Sequence, residues 1–528
     1  MAAAAESPRQ PVWKLLLERR WVLALGVAIA ALLLASALIW KWVPDFHGKS
    51  PTAGIPGALS EQQPSIVVLP FDDISPGHDS EYFANGLSDK IRGDLSQIRA
   101  LKVISKKTAE AFKETHMGLR TIAEQYKVRY ALEGSVAKAG NSLRISAQLI
   151  DAMSDTQMWA LEIPGILNNV FDMQDKVARA VVDGLKLKLT PAEEGQIARR
   201  PITNVQAYDA YLRARSAFMR FTEKDTNVAL QFLENSLKLT GDNALVYAGL
   251  GYVHYQYANL GVRQEEELMK AEAYAEQALR LDPETAQAYM VLGNVDYTLR
   301  GDMRQALRHF KQALSIEPND WDTIMALLAV YYVSGKTAAA WPLVDRLAEI
   351  DPLNAWAPIM RGIIQIFCEG RFDSATQLMS HGLSPLLDEP NPRFCLAYAL
   401  AGSGRYKDAI VVLEPVEPTL GADGFVKGCL FLKFALQGKK EKVQAITSPE
   451  YFDAMRRDPG YSLLTADLYA ILDEREQALD WLENAVNRGW INYPYLSEYD
   501  PFLAKLRGDP RFQELMVRVK GEWERFEI

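Results

Sequence analysis

The sequence predicts a small α+β domain followed by an all-α superhelix of paired helices, with one amino-terminal transmembrane helix ahead of both. Three observations carry that reading. Residues 21–40 form an uncharged run with a tryptophan at each end. Residues 65–190 mix short apolar strand patterns with helical ones and contain a hairpin signal. Residues 203–490 repeat with a period of about 34 residues. The chain has 528 residues and a formal net charge of −9, so it has length for several domains and no basic footprint for a nucleic acid.

The amino-terminal end differs in charge from the rest. Arg9, Lys14, Arg19, Arg20 and Lys41 against Glu6 and Glu18 give residues 1–43 a balance of +3. The run WVLALGVAIAALLLASALIW has the roughly 20 apolar residues that a helix needs to cross a bilayer. Trp21 and Trp40 suit its two interfaces, and Lys and Arg are denser before the run than after it. The expectation is a bacterial inner-membrane protein with a short cytoplasmic tail at 1–20 and a single anchor at 21–43. The bulk of the chain would then be periplasmic. Lys41-Trp42 directly after the run is a poor signal-peptide cleavage site. Residues 44–64, rich in Pro and Gly, read as a flexible linker. Gly48-Lys49-Ser50 imitates the end of a phosphate-binding loop, but Val43 stands where the first glycine is required.

From Ser65 the pattern becomes that of a packed domain. SIVVLPF reads as a buried strand, and Phe83, Leu87, Ile91 and Leu95 mark one face of a helix. Residues 101–104 read as a second strand and 108–127 as a second helix. Leu143, Ile145, Ala147 and Leu149 alternate with polar residues, and Gly140-Asn141 supplies the hairpin turn before them. A strand near 157–163 and a helix at about 167–188 complete the unit. Asp72 and Asp73 end the first strand. Adjacent residues point to opposite faces, so an Asx turn before Ser75-Pro76-Gly77 explains them better than paired catalysis does.

The segments VVLPF, EYFANGLSDKI, LKVIS, TIAEQYKVRYALEGSVAKAGNSLRISAQLIDAMSDTQMWA and VFDMQDKVARAVVDGLK occur in one order over about residues 63–190. Together they resemble the TolB amino-terminal-like (FlgO-like) domain. That domain occurs with tetratricopeptide repeats in bacterial membrane-bound regulators and in the carboxy-terminal regions of class III adenylate cyclases. There the resemblance implies an effector ahead of the membrane span. Twenty residues precede the span here, so neither cyclase nor DNA-binding activity is carried over.

The second half has the signature of tetratricopeptide repeats. Ala271, Ala275, Ala278 and Pro283 recur as Ala306, Phe310, Ala313 and Pro318, and again as Ala340, Val344, Leu347 and Pro352. Small residues allow paired helices to approach closely, and the proline stops the second helix. Weaker units at Ala229, Ala375, Ala409 and Ala478 bring the count to about seven or eight over 203–490. Residues 491–528 read as a capping tail helix.

No catalytic constellation emerges, and the sequence predicts neither an enzyme nor a cofactor or metal site. The six histidines lack ligand spacing, and Ser135-Val136-Ala137-Lys138 matches the serine acyl-enzyme motif on a strand instead of the helix that chemistry needs. Three cysteines, Cys368, Cys395 and Cys429, fit no metal or redox spacing and leave open whether two of them pair. What remains is surface. Aromatic residues on first helices, with Tyr255 and Tyr297 foremost, are the candidates for a partner-binding groove. The expected function is a membrane-anchored, non-enzymatic adaptor or scaffold that binds a protein partner through the repeats and helps assemble or regulate an envelope complex. The alternative is a signalling sensor that relays a periplasmic ligand or envelope state to a separate cytoplasmic effector at residues 1–20.

Overall fold

The computed structural model describes residues 63–528, except 116, 219–221, 261–263, 355, 383–388 and 417–423. The expected tail, anchor and linker at 1–20, 21–43 and 44–64 lie outside the described residues. Among the described residues, no helix is long and apolar enough to cross a membrane.

The α+β domain opens with β1 (Ser65–Val68), β2 (Asp72–Asp73), α1 (Glu81–Ser96) and β3 (Lys102–Val103). Two short helices follow, α2 (Lys106–Glu114) and α3 (Leu119–Tyr126), then β4 (Tyr130–Ala139), β5 (Ser142–Asp151), β6 (Thr156–Ile166) and α4 (Val170–Gly184). The strands form one sheet in the order β3-β1-β4-β5-β6, with β2 also pairing β4. β1 runs parallel to β3 and β4, whereas β4–β5 and β5–β6 are antiparallel. All four residues of β1 are buried, because each face of the strand packs on a different core. Ile66 and Val68 join α1 and α4 on one side, and Val67 joins Phe112 and Ile122 of α2 and α3 on the other.

The single helix expected over 108–127 is two, one ending at Glu114 and the next beginning at Leu119, and each lays its own apolar residues on the smaller core. Asp73 makes the Asx turn: one carboxylate oxygen accepts the Ser75 N–H at 2.9 Å and the other the Ser80 N–H at 2.8 Å. Asp72 and Asp73 also pair with Ser135 and Val136 as a short strand. Between the halves lies α5 (Pro191–Ile197), which the sequence reading left unassigned; Thr190 and Glu193 form its capping box.

Among the described residues, eight helix pairs follow. They are α6 (Val205–Phe218) with α7 (Glu223–Thr240), α8 (Ala244–Asn259) with α9 (Gln264–Leu281), α10 (Ala286–Val295) with α11 (Met303–Ile316), and α12 (Trp321–Ser334) with α13 (Thr337–Ile350). Next are α14 (Trp356–Glu369) with α15 (Phe372–Gly382), α16 (Pro390–Gly402) with α17 (Tyr406–Leu413), and α18 (Gly424–Leu436) with α19 (Lys440–Ile446). A short helix, α20 (Pro449–Met455), precedes the eighth pair, α21 (Pro459–Ile471) with α22 (Arg475–Asn487), and α23 (Pro510–Arg525) ends the array. The alanines that marked the repeats, among them Ala271, Ala306, Ala340 and Ala478, are fully buried. Gly293 of α10 shows why small residues recur there: a Cβ on it would lie 2.4 Å from the Phe310 ring of α11.

The last segment crosses back over the array. The chain leaves α10, α12 and α14 through Gly301, Gly335 and Gly370, each in the left-handed region at φ +65 or +66°. A Cβ on them would meet Arg488 O at 2.7 Å, Asn492 Oδ1 at 2.5 Å and the Tyr499 side chain at 2.9 Å. The repeat period thus lines up three side-chain-free turns for one strap of chain. Asn492 Nδ2 donates to Tyr332 O at 2.8 Å and Phe367 O at 2.7 Å, and Ile491 N–H to Val333 O at 3.1 Å. The tail therefore joins the third, fourth and fifth pairs as well as following the last.

Two polar clusters help to fasten the α+β domain to the array. At α6, Tyr82 and Lys138 converge on Asp209, at 2.5 and 3.0 Å, and Arg213 closes the cluster. At the end of α13, the fully buried Asp351 accepts from Ser105 Oγ at 2.6 Å and from Thr108 Oγ1, while Ser105 N–H donates to Ile350 O at 2.7 Å. Asp351→Ala leaves the part-buried Ser105 hydroxyl and the buried Thr108 hydroxyl without that acceptor and is expected to cost about 2 kcal/mol. Amide hydrogen exchange should then rise across residues 105–126 while the later pairs stay protected; unchanged exchange there would show that Asp351 holds nothing.

Candidate functional site

The first helices of successive pairs line an inner face. Tyr255 of α8 is half-buried on it and donates to Asn294 Oδ1 of α10 at 3.1 Å. Tyr297 lies in a π-helical turn that extends α10 and is only 8 % exposed. Its hydroxyl and that of Tyr332 of α12 act on each other's ionisation. The π turn carries one extra residue, which rotates Tyr297 off the surface stripe on which a regular helix would present it.

The eighth pair reaches the same face. A Cβ built on Gly460 of α21 would lie 3.8 Å from the Tyr332 hydroxyl, so the start of α21 sits against α12. Asp458 caps α21 by accepting the Tyr461 N–H at 2.9 Å. Its carboxylate acts electrostatically on Tyr255, Tyr297, Tyr332 and Tyr461. Burial raises the Asp458 carboxyl above its ordinary range and pushes the Tyr255 hydroxyl up to about 12. Residues from α8, α10, α12 and α21, about two hundred positions apart in sequence, therefore meet on one patch.

Neutral phenols around an acid make a specific surface. Hydroxyls give and accept hydrogen bonds, ring faces attract cations, and the carboxylate adds a negative charge in a confined setting. Such a patch suits the guanidinium, ammonium or amide groups of a protein segment. Asp458 and Tyr461 were invisible to sequence reasoning, because no local pattern states that the eighth pair returns to the second, third and fourth.

The other residues weighed in the sequence have structural settings. Tyr247, Tyr257 and Tyr331 are buried in the array, and His254 Nδ1 sits 2.5 Å from Glu267 with its ring stacked on Tyr274. His309 pairs with Asp296 at 2.8 Å. Ser135 and Lys138 lie on β4, and the lysine is held by Tyr82 and Asp209. The three cysteines are free thiols; burial raises Cys368 and Cys395 to about 12, which keeps them protonated and unreactive at neutral pH.

Comparison with known proteins adds three findings. Residues 61–180 match the family "HilA/YgeH-like transcriptional regulator, second domain", so the α+β domain carries a family description other than the TolB-like one its segments resemble. The chain is 35% identical over 217 residues to a Rhizobium meliloti (strain 1021) protein named "Putative adenylate cyclase 3"; the match covers 41% of this chain and 37% of that protein. Among solved structures, a tetratricopeptide repeat protein from Parabacteroides merdae aligns over 54% of this chain and all of its own, at 15% identity and a TM-score of 0.35. The lipoprotein GNA1162 from Neisseria meningitidis aligns over 23% of this chain and 98% of its own, at 19% identity and a TM-score of 0.18.

Proposed function

We propose that this protein is a non-enzymatic adaptor, anchored through residues 21–40 in a bacterial inner membrane, whose repeats hold a partner protein on the periplasmic side. The observation that carries the reading is the patch where Tyr255, Tyr332 and Tyr461 gather around Asp458. Burying a carboxylate beside partly open phenols costs stability, and a surface of this kind gives that cost a use when a basic segment docks. The amino terminus would be cytoplasmic, following the denser Lys and Arg before the span.

Purification of the tagged chain from its own membranes in mild detergent tests this. The expected result is an envelope protein recovered at fixed ratio. Tyr461→Ala should weaken that complex by about thirtyfold, the loss typical of an aromatic anchor. Asp458→Asn, which keeps the cap acceptor and removes the charge, should steepen neither salt dependence nor dissociation of an unrelated complex but should weaken this one. A partner retained equally by both variants would remove the patch from the function.

A second reading has its own support. The names carried by the two sequence matches, a transcriptional regulator and an adenylate cyclase, belong to signalling proteins. On that reading the chain senses an envelope ligand or state and signals to a cytoplasmic effector at residues 1–20. Recovery of a cytoplasmic enzyme or transcription factor, bound at the amino-terminal end and lost when 1–20 is deleted, would select it.

A further inference from the structure

A cleft of about 480 Å³ lies between the α+β domain and the first four helix pairs, a volume in the range of small-molecule sites. Part of its wall is built where α1 packs on α6. Gly86 makes that approach possible, since a Cβ on it would lie 2.7 Å from Leu212 Cδ2. Three residues further along each helix stand Asp89 and Arg215, and both line the cleft. The cleft is separate from the patch around Asp458, so it does not depend on the adaptor reading.

Around Asp89 the charges do not balance. Arg92 pairs with one carboxylate oxygen, and Lys106 Nζ lies 2.7 Å from the other. Arg215 comes only within 3.8 Å of the oxygen that Lys106 already holds. Glu110 approaches Lys106 at 3.7 Å, so three cations share two carboxylates. The Arg215 guanidinium carries five N–H donors and makes no hydrogen bond among the described residues. Arg92 is 9 % exposed, and its Nε is likewise without a hydrogen-bond partner among the described residues.

The other charges along the cleft are answered where they stand. Lys90, Arg199 and Arg200 each pair with carboxylates of their own. Asp320 caps α12, and Asp351 accepts from two hydroxyls. Glu317 and Asp322 are exposed, where water hydrates them. The surplus left over is positive and sits at Arg215.

A guanidinium beside two further cations is repelled by both, and its nearest carboxylate oxygen is taken. An oxyanion relieves both conditions. Its oxygens match the guanidinium fork, and its charge offsets the surplus. Phe171, Tyr208, Tyr211 and Met290 line the same cleft and offer apolar surface to a body attached to that group.

We propose that this cleft binds a small organic oxyanion, a carboxylate or phosphate on an apolar body, with its charged group at Arg215 beside Arg92 and Lys106. The test uses the full chain in detergent, with calorimetry reading the affinity for phenylacetate, phenyl phosphate and the neutral 2-phenylethanol. At least one anion should bind about tenfold or more tightly than the alcohol, and the stronger of the two tells carboxylate from phosphate. Arg215→Gln should bring that anion down to the affinity of the alcohol. The same variant should melt, without ligand, at the wild-type temperature or above it, because it removes repulsion and no hydrogen bond. An arginine that served only the fold would lower the melting temperature and leave the affinity alone. The wild-type comparison of anions with alcohol needs no variant, so a variant that fails to fold leaves the test intact. Equal binding of anion and alcohol, no anion binding at millimolar concentration, or full anion affinity in Arg215→Gln overturns the proposal. So does binding of inorganic phosphate or acetate as tightly as the phenyl compounds, which would leave the apolar wall without a role.

Discussion

Replacing Trp490 by alanine is expected to destabilise the helical array by about 3–5 kcal/mol, the range for truncating a fully buried aromatic side chain. Trp490 is 0 % exposed and stands at the centre of the strap that crosses three pairs. Its ring centroid lies 5.4 Å from that of Phe367, 6.0 Å from Tyr332 and 6.2 Å from Tyr495. Those contacts join α14, α12 and the strap itself. The flanking backbone bond from Ile491 to Val333 and the two bonds of Asn492 depend on the strap lying in place. In an ordinary repeat array each unit touches only its neighbours, so a core truncation is felt locally. Here the loss should spread. Urea unfolding should show a lower midpoint, and limited proteolysis should cut both near 488–500 and in the turns at 301, 335 and 370. The indole N–H has no partner among the described residues, so Trp490→Phe removes volume and no hydrogen bond; it should cost about 1 kcal/mol. A Trp490→Ala protein that melts like the wild type, or that becomes cleavable only beside residue 490, would show that the strap is passive.

How far these features could be read from the sequence depends on the range over which each is set. The β4–β5 hairpin was legible because alternation at Leu143, Ile145, Ala147 and Leu149 and the Gly140-Asn141 turn are local and agree with each other. The helix pairs were legible because one alanine pattern recurs, and close packing tolerates little else at those positions. α5 could have been found from Thr190-Pro191 with Glu193, a capping box in plain view. The break between Glu114 and Leu119 was harder, since the apolar residues on either side keep nearly helical spacing and only tertiary packing decides that two helices form.

The candidate site was much less legible. Tyr255 and Tyr297 do meet other phenols on one patch, but the acid at its centre comes from the eighth pair. That meeting is the sum of small rotations from pair to pair, each set by side-chain sizes at many contacts. The π turn that turns Tyr297 inward is of the same kind: one added residue changes which way the side chain points, and no composition signal marks it.

Asp467→Asn is expected to raise stability above about pH 6, by on the order of 3 kcal/mol, and to leave it nearly unchanged near pH 4. Asp467 of α21 and Asp500 are both 0 % exposed, and each acts on the other's ionisation. Two carboxylates in contact, away from water, cannot both ionise, so they share a proton. One Asp467 oxygen accepts from the Tyr398 hydroxyl at 2.7 Å, and Asp500 accepts from the Phe502 N–H at 2.9 Å and from Leu503. Burial and the Asp500 charge raise Asp467 well above its ordinary value of 3.8, and burial pushes Asp500 up to about 6. The folded chain therefore holds protons that the unfolded chain releases near 3.8. Where the native state binds more protons, stability falls as pH rises, here from about 4 to about 6 and beyond. Asp89 and Asp209, held below their ordinary range, act in the opposite sense, and their stabilisation is lost as pH falls. Comparing wild type with variant at each pH cancels that background. Asparagine keeps the shape, accepts from Tyr398 and donates its amide N–H where the shared proton stood, so the advantage should open with rising pH. Asp467→Ala, which strands Tyr398 and Asp500, should instead lose about 2–3 kcal/mol at every pH. A constant difference between wild type and Asp467→Asn from about pH 4 to 7 would mean that the two carboxylates do not share a proton.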